Sequence, residues 1–407
     1  MLRAILTLLA GGALAQALPL LLGPWLTRLY RPDEFGLYHL FAAVSANVAV
    51  VACARYEFAL PLARDDDEAQ ALRTLCLRVL VAVVGLCSVG AVVWAAMMQA
   101  VWPLWLPASV AVLGWLSLAT LSANRAQRFE RLATARVLQW GGGAGLQVVA
   151  GLLHAGVQGL IVAPILAALA AVLALGRMGP ARAVRAQWLA AARAHRSFPL
   201  LNTPHAFLGA LQDTVAVGLI AASLGPAAAG AWGLSLRYLK APATLVGGAV
   251  SQALYPRLAA TGHVSLADRR LVLRTMALLG LMATPLALAL WWAAPAAFAW
   301  AFGDQWRSAG ELASALALYI GVHFVAAPLA VVTMAWQAQA WALRLALVGQ
   351  LMFVAALAAG LAWGGLQTAG WAVSAAMVLY FGYYFFKLAT WPVSSGAAVA
   401  ATARSAT

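Results

Sequence analysis

Apolar residues fall in twelve long runs, at roughly 4–26, 36–62, 77–98, 101–122, 137–154, 157–176, 199–222, 228–255, 271–295, 309–335, 340–362 and 366–388. A helix needs about 20 mostly apolar residues to cross a hydrocarbon layer. Lipid offers the backbone no hydrogen-bond partners, so only helices or closed barrels span it. These runs are continuous, with no strand-like alternation, and they predict helices. Runs longer than about 20 residues predict tilt or kinks, not further crossings. The polar positions lie between the runs and are unevenly shared. One set of connections and ends carries Arg3, Arg64, Arg73, Arg78, Arg125, Arg128, Arg131, Arg136, Arg177, Arg182, Arg185, Arg193, Arg196, Arg257, Arg269, Arg270, Arg274, Arg344, Lys387 and Arg404. The other carries Arg28, Arg31 and Arg307. Basic connections stay in the cytoplasm. Both termini are then cytoplasmic, which fits an even number of crossings.

Composition excludes a soluble domain: 64% of the 407 residues are hydrophobic and 9% charged. The formal charge of +14 could indicate nucleic acid. However, the arginines read as topology determinants against anionic headgroups, and no stretch interleaves basic and aromatic residues as a nucleic-acid face would. Met1-Leu2-Arg3, an apolar run and Ala13-Leu14-Ala15 resemble a secretory signal. The run continues through Trp25, past the roughly 7–15 residues of a signal core, so it is read as the first span. Cys53, Cys76 and Cys87 lie in or beside runs without metal-ligand spacing and are read as packing.

The Arg177–Arg196 connection is Ala- and Arg-rich and predicts an amphipathic surface helix, with Trp188 and Leu189 set against Arg185 and Arg193. It divides the chain into a first six-helix lobe (1–176), a basic connection (177–198), a second six-helix lobe (199–388) and a tail (389–407). Pro32-x-x-x-Gly36-x-Tyr38 and Pro226-x-x-x-Gly230-x-Trp232 occupy matching places in the two halves, 194 residues apart. Six crossings per half orient both halves alike, as parallel repeats about an axis along the membrane normal. Prolines and glycines within the spans are ordinary for membrane helices.

Ionisable residues inside a bilayer are costly and mark function by default. Arg237 and Lys240 share a face of the eighth run, about 14 and 18 Å from its start at 1.5 Å per residue. Two cations at that depth predict a water-filled lumen and an anionic ligand. Asp213, on the seventh run at similar depth, can neutralise one of them. Arg55 and Glu57 sit near the end of the second run, either as a headgroup-level anchor or as an inner gate. Being two apart, they should face different partners. His323 reads as a packed histidine, and His205 and Glu311 carry less weight. Gln16, Asn47, Asn202 and Gln212 either line a sugar-tolerant cavity or act as interhelical glue. The run Asp65-Asp66-Asp67-Glu68 reads as a solvated turn or an ion-pair latch with Arg64 and Arg73. Asp33-Glu34 suits a helix N-terminus. No metal-ligand cluster, P-loop or Gly-x-Ser-x-Gly motif occurs in the sequence.

Leu26-Thr-Arg28-Leu-Tyr30-Arg-Pro32-Asp-Glu34-Phe35-Gly36-Leu-Tyr38, followed by Arg55-Tyr56-Glu57, Leu60-Pro61 and the acidic run, resembles the opening of bacterial polysaccharide-unit (O-antigen type) flippases of the multidrug/oligosaccharidyl-lipid/polysaccharide (MOP) exporter superfamily. Gly225, Ala229-Gly230, Arg237-Tyr-Leu-Lys240-Ala-Pro242 and Gly247-x-x-Val250-Ser251-Gln252 extend the likeness into the second half. Phe302-Gly303-x-x-Trp306-x-x-Ala309-Gly310 completes it. The resemblance implies a MATE-like, two-lobe, all-α fold of about twelve helices in the bacterial inner membrane. It implies movement of undecaprenyl-pyrophosphate-linked glycans between leaflets without a cofactor or a change of covalent bonds, alongside a polysaccharide polymerase and other assembly proteins. A drug/cation antiporter should instead show acids in the lumen. A lipid II flippase should carry additional helices and more cations in the first lobe. A glycosyltransferase or polymerase should carry a large external loop, and here none exceeds about 15 residues.

Overall fold

The computed structural model describes residues 2–260 and 264–393, the side chains of residues 2–11 and 13 excepted. Arg404 and the expected tail beyond residue 393 lie outside the described residues. Among the described residues there are fourteen α-helices and no strand. They are α1 (Leu2–Leu29), α2 (Pro32–Val51), α3 (Asp66–Met98), α4 (Leu106–Arg125), α5 (Phe129–Val137), α6 (Gly143–Leu152) and α7 (Gly156–Leu175). After them come α8 (Arg185–Ala194), α9 (Thr203–Leu224), α10 (Pro226–Ala259), α11 (Leu266–Phe302), α12 (Arg307–Ala315), α13 (Ala317–Ala335) and α14 (Gln339–Ala389). Eight helices among the described residues are long and apolar enough to cross a membrane. The chain is an all-helical, multi-pass membrane protein.

Most of the twelve apolar runs fall on helical backbone, but four are divided differently. The run at 36–62 is not one helix. α2 stops at Val51, Ala54 and Arg55 take φ of 47° and 61°, and Tyr56–Leu62 continues as a 3₁₀ segment. The run at 309–335 breaks at Leu316, between α12 and α13. Conversely, the runs at 340–362 and 366–388 join in α14, bent at Gly364 and Gly365. Gly365 holds φ 82° there, which its missing Cβ permits without strain. The Arg177–Arg196 connection is helical over Arg185–Ala194. Trp188 packs inward beside α3, with the Arg78 guanidinium 4.8 Å from its ring.

Two compact units divide the chain, Met1–Gly230 and Ala231–Thr407. This packing boundary lies after the division expected at 177–198, because α9 packs on α2. In the first unit α2 also packs on α4 and α7, α1 on α5 and α6, and α8 on α3. Leu60, Leu72, Leu118 and Leu160 are fully enclosed. Thr214 Oγ1 of α9 donates to Ala43 O (3.1 Å), and Asn47 Nδ2 donates to Thr214 Oγ1 (3.4 Å). Such side-chain bonds hold helices together where lipid supplies no hydrophobic drive between them.

The first turn of α10 also belongs to this unit, and there the two matched motifs meet. A Cβ added to Gly36 would overlap the Pro226 carbonyl, and one added to Gly230 would overlap the Pro32 carbonyl. Each glycine therefore faces the first turn that carries the other, reciprocally.

In the second unit α11 packs on α12, α13 and α14. Ser235 Oγ of α10 donates to Ala309 O (2.7 Å), and Ser251 Oγ to Pro328 O (3.0 Å). Trp306 is wholly buried, and Gly310 lies against the Ala294 carbonyl. The residues of the third sequence motif are therefore packing residues.

Candidate functional site

The rotation of α10 places the two cations. Trp232, Leu234, Ser235 and Leu239 are buried, which leaves Arg237 and Lys240 half-buried on the margin of that face. α10 begins at Pro226, so they stand about 17 and 21 Å along it at 1.5 Å per residue. Lys240 lies close enough to His323 of α13 for its charge to act on the imidazole. The His323 ring packs beside Tyr319 (5.7 Å) and Phe381 (6.1 Å), as a packed histidine should. Lys240 and His323 form a polar pair within the second unit, with Arg237 three residues before Lys240 on α10. Glu311 is exposed on α12.

The other candidates lie in the first unit. Asp213 is exposed and Gln212 half-buried on α9, beside the Thr214 that fastens this helix to α2. Gln16 is exposed on α1, and Asn202 and His205 are exposed at the start of the seventh run. Asn47 is buried, and its Oδ1 has no hydrogen-bond partner.

Arg55 and Glu57 take different partners. The Arg55 guanidinium lies over the Phe58 ring at 4.3 Å, while its Nε is buried without a hydrogen-bond acceptor. Glu57 is only 3% exposed. Ser117 Oγ of α4 donates to its Oε1 (3.3 Å), and its Oε2 is buried without a partner. No ion pair joins the two residues among the described ones. The fold also brings two thiols to this carboxylate: the ligating atoms of Cys53, Glu57 and Cys76 all lie within 4.8 Å of one another. Sequence spacing did not announce this group. Its only local trace is the four-residue step from Cys53 to Glu57.

The basic connections do structural work. Arg125 Nη1 donates to the carbonyls of Leu60 (3.3 Å) and Ala63 (2.6 Å), and Nη2 pairs with Asp66 (3.3 Å). Arg131 reaches Leu175 O (3.4 Å), Arg128 reaches Arg177 O (3.2 Å), and Arg73 Nε reaches Pro180 O (3.1 Å). These guanidinium groups satisfy carbonyls at and after the end of α7, which no helical N–H can reach. A cavity of about 750 Å³ lies among them, lined by Arg73, Arg125, Arg128 and Arg177. The acidic run is not merely a solvated turn. Asp65 caps α3 by accepting from Glu68 N (2.7 Å), Asp66 pairs with Arg125, and Glu68 meets His195 Nε2 at 2.9 Å.

The family model described as "Polysaccharide biosynthesis protein" matches residues 25–311. The chain belongs to this family. The matched range contains Arg55, Glu57, Asp213, Arg237 and Lys240, and each motif that carried the resemblance. No curated protein matches the chain in sequence. Its fold is that of the MOP exporters. The lipid II flippase MurJ, in an inward closed conformation, matches with a TM-score of 0.70 at 9% identity over 95% of this chain and 88% of that one. A MATE transporter in complex with MaD5 matches with a TM-score of 0.55 at 14% identity, covering 95% and 96%. A mutant of the Vibrio cholerae MATE transporter VcmN gives 0.53 at 14% identity, covering 95% of both chains. At such identities the likeness is one of fold.

Proposed function

We propose that this member of the polysaccharide biosynthesis family is a flippase for undecaprenyl-pyrophosphate-linked oligosaccharide units. It carries them from the inner to the outer leaflet of the bacterial cytoplasmic membrane. The observation that carries the reading is the pair Arg237 and Lys240, deep along a largely apolar helix, with His323 of α13 beside Lys240. A cation pair at such a place is expensive unless an anionic ligand visits it. A pyrophosphate suits both side chains, the guanidinium as a fork and the ammonium as a point charge.

In this reading twelve crossings form two six-helix lobes, 1–176 and 199–388, with both termini cytoplasmic. The reciprocal seat of Gly36 and Gly230 supports parallel repeats about a twofold, and such repeats rock to expose a central site alternately. Gln16 and Gln212 offer amide contacts to sugar hydroxyls, and Arg55 waits near the inner end. Asp213 is the carboxylate that would couple transport to a proton gradient. Flipping breaks no covalent bond, so the residues need only bind, release and exclude lipid. A polysaccharide polymerase in the outer leaflet would take the product.

The test is export. Arg237→Ala with Lys240→Ala should abolish surface glycan while the protein inserts at normal levels, and Lys240→Arg should retain more export than Lys240→Ala. Full export by the double variant would leave the pair a structural role only.

A further inference from the structure

We propose that Cys53, Glu57 and Cys76 bind a zinc ion at the break that follows α2. The site is distinct from the cation pair of α10 and does not rest on the flippase reading. Four observations converge on it. First, one ligand atom from each residue lies within 4.8 Å of the other two, and all three side chains are buried. Around tetrahedral zinc, with bonds of about 2.3 Å to sulfur and about 2.0–2.2 Å to oxygen, ligand atoms stand roughly 3.5–3.8 Å apart. Small side-chain adjustments therefore close the group on an ion.

Second, Glu57 Oε2 is buried and lacks any hydrogen-bond partner, while Oε1 is held by Ser117. A carboxylate oxygen left unpaired out of water is costly, and a metal bond removes that cost. Third, the charges balance. Two thiolates, one carboxylate and Zn²⁺ sum to −1, and Arg55 acts electrostatically on Glu57 as the compensating cation. Its Nε is also buried without an acceptor. Fourth, the backbone is bent for the purpose. Ala54 and Arg55 hold positive φ between Cys53 and Glu57, a conformation that non-glycine residues adopt only when their surroundings enforce it.

The donor set selects the ion. Two sulfurs and one oxygen suit a borderline-soft ion with four ligands, whereas calcium and magnesium require six or more oxygens. A water supplies the fourth position, and Ser117 stays outside the ligand set, holding Glu57 Oε1. Zinc here would staple the end of α2 to α3, fixing the break as a rigid joint. Cys87 is buried on α3 outside the group and serves as the internal control.

The test uses the full-length, tag-free protein in detergent. Elemental analysis should find about one zinc per chain. Chelator-stripped protein loaded with Co²⁺ should show thiolate-to-cobalt charge transfer and tetrahedral ligand-field bands. Cys53→Ser and Cys76→Ser should lose both signals, Cys87→Ser should keep them, and Ser117→Ala should weaken binding by roughly 10–100-fold as an outer partner does. The wild-type cobalt spectrum makes the result independent of whether any variant folds. A monodisperse wild-type protein without zinc and with octahedral cobalt only would overturn the proposal. So would retention of the tetrahedral spectrum in folded Cys76→Ser.

Discussion

Replacing Gly36 by alanine tests the reciprocal contact between the two repeats. The new Cβ would overlap the Pro226 carbonyl and stand 3.0 Å from Gly230 N. In Gly230→Ala it would overlap the Pro32 carbonyl and stand 3.0 Å from Gly36 N. Overpacking costs about 1–3 kcal/mol where side chains can yield. Here the obstacle is backbone at the first turn of a helix, which has no rotamer to change, so each substitution should cost about 3 kcal/mol. For a unit of this size one kcal/mol moves Tm by about 2–4 °C, so each variant should melt about 6–12 °C lower. The helices need to separate only once, so the double variant should cost less than the sum, by about 0.5–3 kcal/mol. Thermal unfolding of detergent-solubilised protein, followed by size-exclusion fluorescence, measures all three. Gly209→Ala is the control: nothing lies within 4 Å of the added Cβ, and alanine favours a helix by about 0.5–1 kcal/mol. A wild-type Tm for Gly36→Ala would refute the close approach, and strictly additive costs would refute the reciprocity.

Other expectations follow from single features. Cysteine introduced at Ser308, which is exposed on α12, should react with an impermeant reagent from outside the cell, and at Ser197 only after permeabilisation. The reverse pattern would overturn the proposed topology. Asp213→Asn should uncouple glycan transport from a proton gradient in proteoliposomes while lipid binding persists, and a full response to the gradient would return Asp213 to a structural role. Asp65→Ala should destabilise the protein by about 1 kcal/mol through loss of the α3 cap, and an unchanged Tm would show that Glu68 and Arg125 hold that turn without it.

The sequence alone determined the class, the all-helical character and the family. A bilayer imposes one rule on every residue of a span, and that rule is readable position by position without knowing the partners. The Pro-x-x-x-Gly motifs were legible for the same local reason, though their mutual contact was not. Tertiary structure alone decided where the apolar runs break. Val51-Ala-Cys-Ala54 and Leu316 are as apolar as the helices around them, so no change of composition marks Arg55 or the α12–α13 junction. It also decided the partners of the acidic run, because Arg125 and His195 arrive from 59 and 127 residues away. Cys53, Glu57 and Cys76 are the sharpest case. Each looks like packing or a lone charge in sequence, and only the turn after α2, closing on α3, makes them one group.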